Sequence, residues 1–172
     1  MTQRVAAGYD PLTELLAPLE ARGVEKTGGV MNENYRPRRI SRSIGALLAG
    51  FLAVIILSLG TDIVLHTVGV FPRLGQPMAD ALFLLATAYR TVYGVAGSYI
   101  TARLAPDRPM QHALAGGVVG LALSTVGAVV TWNRGPAFGP HWYPLALVAT
   151  AIPCAWAGGR LRLMQLRARQ AR

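Results

Sequence analysis

Residues 44–70 read IGALLAGFLAVIILSLGTDIVLHTVGV, and they decide the fold. From Ile44 to Thr61 the stretch carries no charge. A helix rises about 1.5 Å per residue, so about 20 such residues cross the roughly 30 Å of hydrocarbon in a bilayer. A lone strand would leave its backbone polar groups unsatisfied in lipid, so the segment reads as a helix. Three further apolar segments follow, at about 81–104, 110–132 and 143–164, with the first helix at about 44–70. The connections are short and carry breakers: Pro72 and Pro77 in the first, Pro106 and Pro109 in the second, Gly135, Pro136, Gly139 and Pro140 in the third. Short connections make consecutive helices antiparallel neighbours. The sequence therefore predicts an all-α polytopic membrane protein, an up-down bundle of four transmembrane helices, with residues 41–166 as the membrane domain.

Composition agrees. Of the 172 residues, 52% are hydrophobic and 15% are charged, against about 25% charged in a typical soluble domain. The net charge of +9 raises the question of nucleic acid, and its distribution answers it. Residues 1–30 carry −1, residues 31–42 carry +3, residues 160–172 carry +5, and everything between carries +2. Positive charge concentrated at the margins of an apolar region marks cytoplasmic membrane flanks, not a nucleic-acid-binding face. Those flanks are suited to anionic lipid, which long arginine side chains reach by snorkelling.

The same residues orient the bundle. Arg36, Arg38, Arg39 and Arg42, then Arg103 and Arg108, then Arg160, Arg162, Arg167, Arg169 and Arg172 lie on one side, eleven in all. Arg73 and Arg134 lie on the other. By the positive-inside rule both termini and the 105–109 loop face the cytoplasm, as expected of a multi-pass protein of the plasma membrane, here the bacterial inner membrane. Trp132, Trp142 and Tyr143 then fall at the outer interface as an aromatic belt.

Residues 1–40 read as a largely disordered cytoplasmic tail, and 167–172 as a short basic one. Asp10-Pro11 with Leu12, Leu15, Leu16 and Leu19 offers a short helix that Pro18 interrupts. Met31 opens a second start, MNENYRPRRISRS, directly ahead of the first helix, and 1–30 reads as a gene-model extension before it. The intact mass of the native protein distinguishes the two starts.

Arg90 is the most informative single residue. It lies near the middle of the second helix, where a charge costs at least about 2.5–3.5 kcal/mol, so it is expected to face inward and to have a partner. Asp62 lies in the outer half of the first helix. Arg90 sits about 15 Å below the outer end of the second. Side chains tilt toward their own helix N-terminus, so Asp62 leans inward and Arg90 outward until they meet. An intramembrane ion pair between Asp62 and Arg90 is expected, read first as a device that fixes helix register.

Tyr89 and Tyr93 are i, i+4 neighbours beside Arg90, and His66 is four residues after Asp62; together they read as ligand-lining candidates, with packing as the plainer account for the tyrosines. Asp62, His66 and His141 are residue types that suit a divalent cation, but without a dense ligand motif no metal site is expected. The lone Cys154 excludes an internal disulfide and reads as a small buried apolar residue. Pro153 is expected to kink the fourth helix.

On the third helix Ala113, Gly117, Gly120, Ser124 and Gly127 share one face. Small residues let membrane helices approach closely, so this seam reads as packing, within the bundle or in a homo-oligomer. Gly94, Gly97 and Ser98 on the second helix and Gly45, Ala46 and Gly50 on the first offer complementary surfaces.

The sequence holds no phosphate loop, no nucleophile–base set and no cysteine pair, so neither an enzyme nor a cofactor is expected. The leading expectation is a structural or accessory membrane component. The alternative is an oligomeric transporter or channel for a small solute or ion, built around Asp62 and Arg90. The two differ in a visible feature: a dry, filled core around the pair favours the first, and a cavity reaching Arg90 from outside favours the second.

Overall fold

The structure, a computed structural model, describes residues 37–73, 75–135 and 138–171. The readings made for residues 1–36, including the tail and the start at Met31, lie outside them. Four helices follow one another: α1 (Pro37–Thr67), α2 (Asp80–Leu104), α3 (Pro109–Thr131) and α4 (Trp142–Gln170). No strand occurs among the described residues.

Helix limits depart from the sequence expectation in two places. The first helix begins at Pro37, seven residues before the apolar run, because Pro37 fits the first turn and the following arginines are good helix formers. The last runs through Pro153 to Gln170, so most of the expected basic tail is the end of α4. At the other limits the helices match the apolar segments to within a residue, except that α1 ends three residues early, before Gly69 at φ +77°. Arg108, in the left-handed conformation, leads into Pro109 at the start of α3.

Two of the four helices are long and apolar enough to cross a membrane: α1 over Ile40–Thr67 and α3 over Pro109–Thr131. The expected four apolar spans are therefore carried by composition only in part. Helix α2 holds Asp80, Arg90 and Arg103 among threonines and tyrosines. Helix α4 continues into an arginine-rich end, and both dilute their apolar runs.

Packing also departs from a simple ring of sequence neighbours. Helix α4 packs extensively on both α2 and α3, and α1 packs chiefly on α2. Contact between α1 and α3 is sparse, and α1 and α4 make at most a glancing contact. Helix α4 thus takes the place beside α2 that loop length alone would give to α3.

The contacts are made by small residues. A Cβ added at Gly50 would lie 2.6 Å from the Gly97 carbonyl oxygen, so α1 and α2 touch backbone to backbone. Gly158 on α4 meets α2 in the same way, and Gly117 on α3 lies against Ala155 of α4. Gly139, at φ +93° and with its Cα turned toward the ring of Phe83, admits no other residue without strain.

The interior is accordingly built of Ala46, Ala86, Ala102, Ala113, Cys154 and Ala155, with Phe71 and Phe83 near one end. The large aliphatic side chains point outward, among them Ile56, Ile63, Leu84, Leu123 and Val129, as does Trp156. This is the inverse of a soluble core, where Ile, Leu and Val are inside.

Candidate functional site

Helix α2 brings Arg90 to the centre of a polar cluster. Its Nη2 donates to Asp62 Oδ2 of α1 at 2.6 Å, an ion pair. Its Nη1 donates to the Tyr143 hydroxyl at the start of α4. The other Asp62 oxygen, Oδ1, accepts from the Tyr89 hydroxyl. The guanidinium also lies near the ring faces of Tyr89 and Tyr143, at 5.9 and 5.8 Å from their centroids. One residue therefore ties together α1 and α4, two helices that barely pack on each other.

The structure brings Asp62 and Arg90 into contact. It adds Tyr143, which the sequence placed only in an aromatic belt. The signal for a third partner was present: a guanidinium has five donors, and one carboxylate satisfies two of them at most in a fork. Its Nε remains buried without a hydrogen bond.

The tyrosines bridge α1 and α2. Tyr89 is bonded to Asp62, and Tyr93 shares a 2.8 Å hydrogen bond with Thr61. Their hydroxyls are committed to the neighbouring helix, and neither residue borders the two cavities described below. His66 does border one. Its Nδ1 lies 2.7 Å from the Pro72 carbonyl and its ring meets Phe71 edge-on, which folds the α1–α2 loop over the end of α1. His141 bonds the Trp132 carbonyl at 3.0 Å and stacks on that indole, so it does not join Asp62 and His66. Among the described residues no three His, Cys, Asp or Glu side chains converge on a point.

The pair is not sealed in a filled core. The side chains of Arg90 and Asp62 keep 30% and 21% of their exposure. Two cavities adjoin them. One, of about 150 Å³, lies under the α1–α2 loop and is bordered by Asp62, His66, Arg73, Phe83, Arg90 and Tyr143. The other, of about 240 Å³, is bordered by all four helices, including Ser58, Arg90, Thr91, Ser124, Thr150 and Cys154.

Four residues of the α3 seam, Ala113, Gly117, Gly120 and Ser124, border this second cavity, and Ala113 and Gly117 are also buried against α4. A Cβ on Gly120 or Gly127 would meet nothing within 4 Å. The close contacts between α1 and α3 lie at the other end, where His112 Nε2 is 2.9 Å from Ser43 Oγ and Gly116 abuts Leu47. Of the surfaces expected on α1, Gly50 is used and Gly45 is not. Cys154 is buried as expected, and its Sγ also points at the Thr91 carbonyl at 3.5 Å.

Tyr143→Phe removes the acceptor of Arg90 Nη1 and leaves the Asp62 pair in place. It is expected to destabilise the bundle by about 1–2 kcal/mol, because a desolvated charged donor loses its partner. Unfolding of the purified protein in detergent micelles reads this directly; an unchanged midpoint would remove Tyr143 from the cluster.

Comparison with protein-family models, with curated proteins and with solved structures gave no match.

Proposed function

We propose that the chain is a four-span protein of the plasma membrane with both termini cytoplasmic, and that it passes or carries a small solute through a polar site at Asp62, Arg90 and Tyr143. The inverted burial supports the membrane reading: large aliphatic side chains outside and alanine and glycine inside suit a bundle whose solvent is lipid. Helices α2 and α4 can share that solvent. Their outward faces carry Leu84, Val92, Leu145 and Trp156, while Arg90 and its tyrosine partners turn toward other helices. The distribution of arginines supports the orientation, and the bacterial inner membrane is the compartment it fits.

The observation that carries the solute reading is the pair of cavities at Arg90. A purely structural ion pair is best served by a filled surround, whereas this one borders open space on two sides. Intramembrane ionisable groups beside cavities characteristically mark solute and ion paths. Four helices make a small transporter, so we place the activity in a homo-oligomer, with anionic lipid at the arginine-rich inner flanks. No catalysis, cofactor or nucleic acid enters this reading.

A second reading, a non-catalytic accessory component, is favoured by the saturation of Asp62, each of whose oxygens has a donor. Flux into liposomes holding the purified protein separates the two. The transport reading expects ion flux above that of protein-free liposomes, altered in rate or selectivity by the Asp62→Ala/Arg90→Ala double variant. Background flux for both proteins, across small anions and cations alike, would leave the accessory reading.

A further inference from the structure

Arg90 is the one residue that borders both cavities. On one side lies the 150 Å³ space beneath the α1–α2 loop, an outer vestibule in the orientation given above. On the other lies the 240 Å³ central chamber. The Arg90 guanidinium is held from α1 by Asp62 and from α4 by Tyr143. Gly50, Gly97 and Thr101, where α1 and α2 touch, border the chamber away from Arg90, and the Ser43–His112 contact joins α1 to α3.

The vestibule also has a sign. Its border carries two guanidinium groups, Arg73 and Arg90, and one carboxylate, Asp62. Asp62 is already bonded to Tyr89 and Arg90, so a positive excess faces the incoming solute. A carboxylate of one negative charge neutralises that excess, and guanidinium groups bind planar oxyanions in a fork. The central chamber has room for several waters or a small organic ion, and the hydroxyls of Thr91, Ser124 and Thr150 on its border donate to carbonyls of their own helices.

We propose that Arg90 is a gate between an outer vestibule and a central chamber, and that the vestibule selects small anions, monocarboxylates above all. In the closed arrangement Arg90 bridges Asp62 and Tyr143. An arriving carboxylate competes with Asp62 for the guanidinium, and the released side chain opens the boundary. The inference rests on the four-span solute-path reading and adds the position of the barrier and the class of ligand.

The sole cysteine makes the gate measurable, because Cys154 borders the central chamber and not the vestibule. Full-length protein in sealed right-side-out vesicles is treated from outside with anionic and cationic methanethiosulfonate reagents of similar size. Modification is read by mass at Cys154 and, in a Cys154→Ser background, at Ser124→Cys, which borders the same chamber from α3. Wild type is expected to stay unmodified at both positions. The Asp62→Ala/Arg90→Ala variant, which leaves no charge unpaired, is expected to react, about tenfold faster with the anionic reagent than with the cationic one. Adding Arg73→Ala should abolish that preference, and acetate in the medium should speed modification of wild type.

Modification of wild type at the rate of the double variant would overturn the gate, as would protection of both thiols in the double variant. Equal rates for the two reagents would overturn the anion selectivity. Gln76→Cys in the α1–α2 loop is labelled in parallel. If it is not reached from outside, the topology fails and the gate with it. If it is reached and the gate responds while liposome flux stays at background, the gate stands and the transport reading fails.

Discussion

Replacing Arg90 by alanine is expected to destabilise the bundle by about 2–3 kcal/mol, the largest effect of any single side-chain truncation in the molecule. The cost does not come mainly from the lost attraction. Truncation leaves Asp62 as a partly buried charge with one donor, Tyr89. Breaking a fully buried pair costs about 3–5 kcal/mol, and the partial exposure of both groups lowers the figure here. The truncation also unties α4 from α1, which have almost no other contact. Asp62→Ala combined with Arg90→Ala removes both charges and is expected to recover more than half of the loss. Unfolding midpoints in micelles for the two single variants and the double variant give the coupling directly. If Arg90→Ala unfolds with wild type, the pair does not hold the helices together.

The second large effect belongs to Gly158→Ala. A Cβ there would sit 2.6 Å from both the Tyr99 nitrogen and the Val95 carbonyl oxygen, and 2.7 Å from Ser98 Cβ. These are mostly backbone atoms and cannot swing aside, so α2 and α4 must separate along one of the two most extensive helix contacts. A cost of about 2–3 kcal/mol is expected, toward the upper end for overpacking by one methyl. Gly127→Ala is the matched control. Its Cβ would meet nothing within 4 Å, so the same change there is expected to be neutral or slightly stabilising through helix propensity. Equal effects at the two glycines would mean that close α2–α4 approach does not determine stability.

What was legible in the sequence follows from what is local. The helices were visible because apolar runs and proline- and glycine-rich breaks are features of neighbouring residues. The Asp62–Arg90 contact was legible because two charges in apolar helices joined by a short loop have calculable depths. Tyr143 was not, because its contact depends on α4 lying beside α2, and loop length argued for α3 in that place. The α3 seam shows the same boundary. Its spacing fixed which residues share a face, but not that Gly117 would lie against α4 while a Cβ on Gly120 would meet nothing. The bonds of Tyr89 and Tyr93 to α1 were not legible for a related reason: hydroxyls at that spacing serve a neighbouring helix or a cavity equally well.

Whether α2 and α4 cross the membrane, as α1 and α3 are composed to do, is tested most directly by the sidedness of two loops. In a Cys154→Ser background, Asp107→Cys and Asn133→Cys are labelled with an impermeant thiol reagent in intact cells and again after permeabilisation. Four crossings place Asn133→Cys outside, labelled in intact cells, and Asp107→Cys inside, labelled only after permeabilisation. Two crossings, by α1 and α3 alone, exchange the two results: Asp107→Cys would be labelled in intact cells and Asn133→Cys would be protected. That exchange would contradict a polar site held inside the bilayer by α1, α2 and α4.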